Sequence, residues 1–198
     1  MVDVRSVPPG TSVTTNALVT GEAWAGPLTY GFAPDAPAQL PVTAAGTTSA
    51  PAALRAAVRD ALAQVEAFTG LVVERQADGA RSDLRVVAAE RLALDGTDAP
   101  LPLGAYGFGP GKGDLAGDMF FGPTVTADLS RGSYGYRAVL HEVGHALGLK
   151  HPHEPGRFAA LPAPLDGPEA SVMSARSTPG GALRDGLGIE RGGYSHTY

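Results

Sequence analysis

Val139-Leu140-His141-Glu142-Val143-Gly144-His145-Ala146-Leu147-Gly148-Leu149-Lys150-His151 reads H-E-x-x-H-x-x-G-x-x-H. On a helix, two histidines four apart project from one face, about 6 Å apart along the axis at a rise of about 1.5 Å per residue. Imidazoles so spaced can converge on one metal ion, with bonds of about 2.0–2.1 Å if the ion is zinc. A third ligand from the next helical turn would close a tetrahedral face poorly. Gly148 removes the difficulty: it can adopt left-handed backbone and end the helix, so that His151 returns from outside. Glu142 points into a neighbouring sector, where it can take a proton from metal-activated water. The pattern therefore predicts Zn2+ held by His141, His145 and His151, with Glu142 as the catalytic base and Gly148 in a structural role.

Outward from this stretch, Ser133 is the predicted N-cap of a helix over Tyr134–Leu149. Val139, Leu140, Val143, Ala146 and Leu147 anchor it in the core. A second helix is predicted over Ser49–Phe68, with Ser49 as N-cap and Gly70 as stop. Its apolar face is Leu54, Val58, Leu62, Val65 and Phe68. Strands are expected at 28–32, 71–74, 84–88, 103–108 and 118–121. Residues 1–20 read as an extended arm and residues 33–48 as a loop. Residues 94–102 are loop-like, and no long periodic helix appears after residue 151. Strand, helix, strand, strand is an α+β beginning, with a helix packed on a sheet. The expectation is one domain over residues 1–198 with an irregular C-terminal lobe over 152–198.

The 198 residues are 43% hydrophobic and 18% charged, a globular composition. The net charge of −5 and the lack of any basic run argue against nucleic acid or a membrane surface as partner. Glycine (27) and proline (17) predict many turns between few regular elements. The absence of cysteine removes disulfides, thiolate ligands and a Cys nucleophile. The glycine-rich 109–114 stretch fits neither phosphate-binding pattern. No G-x-S-x-G elbow offers a serine route to hydrolysis. No signal peptide is visible at the first residues.

H-E-x-x-H-x-x-G-x-x-H followed by a methionine turn resembles the metzincin zinc peptidases. Ser171-Val172-Met173-Ser174 is the matching turn. Within that group the chain is most similar to the serralysin catalytic domain. The likeness lies in Pro152 after the third histidine, Gly132–Tyr136 before the helix, Gly117–Phe121, and Trp24 ahead of Leu28-Thr29-Tyr30. The resemblance implies a zincin-like fold: a twisted, mostly parallel five-stranded sheet with an antiparallel edge strand, a backing helix and an active-site helix. It implies Met173 as a hydrophobic floor under the zinc, a polypeptide substrate lying along the edge strand, and a secreted monomer.

Three features depart from the family. Ala175 stands where serralysins carry a zinc-site tyrosine, leaving Tyr194 or Tyr198 to substitute. The calcium-binding repeats are absent. The chain ends near where the family's last helix begins, as expected either of a minimal catalytic domain or of a piece of a longer chain. Ca2+ is thus a second cofactor without a supporting motif: Asp114, Asp118 and Asp128 form no EF-hand pattern and read as solvated turn carboxylates. His153 and His196 read as surface histidines, and Glu154 is a further polar neighbour of the motif. Three functions stay open: a zinc endopeptidase, a zinc-containing peptide-binding module with little turnover, and a narrow-specificity or self-processing peptidase.

Overall fold

The computed structural model describes residues 2–34, 42–94, 101–102, 104–176 and 178–182. In chain order its elements are β1 (Val4–Ser6), α1 (Val13–Leu18), β2 (Glu22–Trp24), β3 (Leu28–Ala33), β4 (Val42–Thr48), α2 (Ala52–Thr69), β5 (Val73–Arg75), β6 (Leu84–Leu94), β7 (Leu101–Pro102), β8 (Ala105–Gly107), β9 (Met119–Phe121), α3 (Pro123–Thr126) and α4 (Tyr134–Ala146).

Alternation along β6 divides the apolar interior into two cores. Leu84, Val86 and Ala88 face one way, joining Leu54, Val58 and Leu62 of α2, Val139 and Val143 of α4, and Met119 and Phe121 of β9. Val87 and Ala89 face the other way, packing with Leu92, Leu115 and Phe120. That two-sided burial is what parallel strands require. The sheet runs β5-β3-β6-β9-β8, with β8 antiparallel to β9 on the edge and the other four strands parallel. The architecture is α+β with a mostly parallel mixed sheet.

Several local expectations need correction. Among the described residues the sheet has seven strands rather than five, because β6 continues to Leu94 and its far half pairs with β4 and β7. Part of the expected 33–48 loop is therefore strand β4. Its Val-Thr-Ala-Ala-Gly-Thr-Thr sequence has too little apolar alternation to announce a strand. The stretch 95–100 lies outside the described residues, and Leu101–Pro102 is strand. Residues 2–20 are not a plain extended arm. β1 pairs with β2, and α1 is capped by the Ser12 hydroxyl, which accepts from the Thr15 amide at 3.2 Å.

α2 starts at Ala52 rather than after Ser49, with Pro51 as the flanking residue and no side-chain cap. The proline ring disfavours helical backbone at the residue before it, so Ala50 cannot join the helix. Gly70 ends α2 as predicted, at φ +69°. Phe68, expected on the buried stripe, is 90% exposed. The seam against the sheet is completed by Leu54, Ala57, Val58, Ala61 and Leu62, and Phe68 instead borders an apolar recess of about 780 Å³ between α2, β2 and α4. Among the described residues no helix is long and apolar enough to cross a membrane.

Candidate metal centre

The Ser133 hydroxyl starts α4 by accepting the Tyr136 amide at 3.1 Å. The helix stops at Ala146, three residues before the expected Leu149. Its end is a Schellman turn: the Leu149 amide donates to Gly144 O and the Gly148 amide to His145 O, both at 2.9 Å. Gly148 sits at φ +106°, and a Cβ there would lie 2.6 Å from Glu22 O. The N-terminal segment crosses this turn closely and holds it. The Thr20 amide donates to Gly148 O at 2.9 Å and the Lys150 amide to Leu18 O at 2.8 Å. The Trp24 indole donates to Ala146 O at 2.8 Å. The backbone beyond the helix is thus directed so that His151 returns to α4.

The structure brings His141, His145 and His151 together. Their Nε2 atoms form a triangle with sides of 3.0, 3.1 and 3.2 Å. The opposite nitrogens determine where the protons are. His141 Nδ1 lies 2.8 Å from Val172 O, and His145 Nδ1 lies 2.9 Å from Leu149 O. His151 Nδ1 lies 2.7 Å from Glu154 Oε1. Carbonyl oxygens and a carboxylate only accept, so each Nδ1 carries the proton and each Nε2 is a bare lone pair. Three lone pairs at about 3 Å repel, and none can donate to another. A cation at their focus satisfies all three, and the group can hold a metal ion. Burial pushes the His141 imidazole well below its ordinary pKa, and His145 beside it adds to the effect. Burial takes His145 down to about 4. Both are therefore neutral at physiological pH, the form a metal ligand requires.

Glu142 is 1% exposed, and its Oε1 has no hydrogen-bond partner among the described residues. Burial raises its carboxyl well above the usual range. Strand β8 crosses directly over it: a Cβ on Gly107 would lie 2.8 Å from Glu142 Oε2. Met173 is fully buried against α4, and a Cβ on Gly144 would lie 2.5 Å from its sulfur. The residue before it supplies the carbonyl that orients His141, and Arg137 of α4 anchors the turn through Ser174 O at 2.9 Å.

No model of a known protein family matches this chain, and no curated protein matches it.

The remaining candidates fall out differently. His153, read as a surface histidine, is half-buried with its ring stacked on that of His151, 5.3 Å between centroids and 13° between planes. The His151 N–H donating to Glu154 holds that carboxyl down to about 2. Asp118 is no solvated turn residue: it is fully buried and accepts from Arg85 Nε at 2.6 Å and Nη2 at 2.8 Å. Asp114 contributes its backbone carbonyl to the same guanidinium, while Asp128 accepts from Ser130 at 2.9 and 2.7 Å. Among the described residues these three aspartates are not part of a group that could hold a metal ion. Ala175 follows the methionine turn, half-buried; Tyr194, His196 and Tyr198 lie outside the described residues. Sequence reasoning missed Gly107, Gly144 and the link from His151 to Glu154. The first two have a signal in the sequence, since glycine inside a strand or helix marks close approach.

Proposed function

We propose that this chain is a zinc endopeptidase of the metzincin type, with a zincin-like catalytic fold similar to that of the serralysins. The observation that carries the reading is the triangle of three unprotonated Nε2 atoms with the buried carboxylate of Glu142 on the same helix. A tetrahedral zinc with bonds of about 2.0–2.1 Å spaces its nitrogens about 3.3 Å apart. The triangle found here is within about 0.3 Å of that.

Zinc, when bound, supplies Lewis acidity that lowers the pKa of water to about 7 and polarises a carbonyl. The chain supplies the rest. Glu142 takes the proton of the attacking water and returns it to the leaving amine. Burial suits it to this task, because a carboxyl with a raised pKa holds a proton more readily than a solvated one. Edge strand β8 lies against Glu142 through Gly107, so an extended peptide that adds to β8 runs past the base. The Nδ1 contacts to Val172, Leu149 and Glu154 keep the three imidazoles in the ligand tautomer.

Glu142→Gln tests the mechanism. The variant keeps one zinc per chain and loses casein hydrolysis by several orders of magnitude; casein hydrolysis at the wild-type rate refutes Glu142 as base. Ala175, at the position of the serralysin tyrosine, favours a second reading, a zinc-containing peptide-binding module without turnover. A peptide-library digest with and without chelator separates the two.

A further inference from the structure

We propose that Glu154 is the positioning residue of the third ligand and sets how tightly the chain retains its metal, an inference that rests on the metal site described above. The three histidines are not held alike. His141 and His145 stand on a helix and give their Nδ1 protons to neutral backbone carbonyls. His151 has no helix behind it. It is held by a charge at two points: Glu154 Oε1 takes its Nδ1 proton at 2.7 Å, and Oε2 takes its backbone amide at 3.2 Å. One carboxylate therefore sets both the ring and the backbone that carries it.

Glu154 is itself anchored. Its amide donates to His151 O at 3.1 Å. Its carbonyl accepts Lys150 Nζ at 2.6 Å, and the same ammonium donates to Ala17 O at 2.7 Å. A line of contacts runs from α1 through Lys150 and Glu154 to His151. A charged acceptor forms a stronger bond than a carbonyl and raises the basicity of the far nitrogen. Both carboxylate oxygens face His151, so Glu154 works through the imidazole and is separate from Glu142 in function. Proline at 152 and the stacked His153 ring complete a short loop whose geometry converges on one imidazole.

The test uses the full chain, stripped of metal and reloaded with zinc or cobalt(II). Glu154→Gln retains an acceptor oxygen but loses the charge; Glu154→Ala loses both. Competition against a chromophoric chelator is expected to show zinc held about 10-fold more weakly by Gln and up to about 100-fold more weakly by Ala. The visible band of the cobalt form is expected to shift in both, with metal-free melting of the Gln variant at the wild-type temperature. Affinities within twofold of wild type for both variants overturn the assignment. So does a loss of affinity matched by an equal loss of metal-free stability, which marks a merely structural residue. A wild-type chain that binds no zinc overturns the metal-site reading itself, a different result from unchanged variants of a binding parent.

Discussion

Gly107→Ala probes the contact between the edge strand and the proposed base. A Cβ at this position would stand 2.8 Å from Glu142 Oε2, 3.0 Å from Glu142 O and 3.2 Å from His145 Cβ. An unstrained contact needs about 3.5 Å, so gaps of roughly 0.3–0.7 Å must open, the largest at the carboxylate. Two of the three obstructing atoms, a backbone oxygen and a Cβ, are fixed to α4. The carboxylate is the group free to swing, so it moves most. Overpacking of this kind costs about 1–3 kcal/mol. Alanine returns about 0.5–1 kcal/mol through lower chain entropy in a strand. The expected net loss is about 1–2 kcal/mol in urea denaturation. A misplacement approaching 1 Å lowers catalysis by up to about 100-fold. Peptide hydrolysis is therefore expected to fall about 10- to 100-fold in kcat with zinc content unchanged, since no Nε2 atom is among the contacts. Gly113→Ala, with nothing within 4 Å of its Cβ, is the control and should change neither quantity. Wild-type kcat and stability in Gly107→Ala would refute the packing argument, and loss of zinc in step with activity would refute the assignment to the base.

Two further outcomes follow from the metal site and from the buried ion pair. Chelation of zinc supplied at 100 times its Kd should remove about 2.7 kcal/mol. That lowers Tm by roughly 5–10 °C for a chain of this size, and an unchanged Tm would contradict a bound ion. Burial pushes the Asp118 carboxyl from 3.8 up to about 6, against the pull of Arg85 on both its oxygens. The folded value lies above the unfolded one, so this group's contribution is full below 3.8 and is lost as pH rises through about 6. Arg85→Met removes the pull toward ionisation that the guanidinium exerts on Asp118. Its destabilisation in urea should grow from small at pH 4.5 to at most about 2.7 kcal/mol at pH 8, two pH units above the folded value of about 6. A loss independent of pH would place the role of Arg85 elsewhere.

The two long helices were legible because their apolar positions repeat with the helical period, and because Ser133, Gly70 and Gly148 mark ends by local chemistry. Strand β4 was hidden because small residues and threonine carry almost no alternating signal; its identity comes from pairing with β6. The start of α2 was misread because Ser49 is a good cap by type, yet Pro51 forbids helix at Ala50. Asp118 looked solvated beside glycines, but its partner Arg85 is 33 residues away and no local rule connects them.

The candidate site divides along the same line. Which side chains meet is written in the spacing, since four residues on a helix and a glycine turn suffice to gather three imidazoles. Which nitrogen of each faces the centre is not. That depends on Val172 O, 31 residues from His141, on the Leu149 carbonyl exposed by the Gly148 turn, and on Glu154 beyond the proline. A histidine whose Nδ1 met a donor would carry its proton on Nε2 and could not bind an ion there. The motif thus specifies the atoms available, and tertiary contacts specify the tautomer in which they could hold a metal ion. A substitution that leaves all three histidines intact but removes one of these acceptors should weaken metal binding, and Glu154 is the one acceptor of the three that belongs to a side chain and can be replaced.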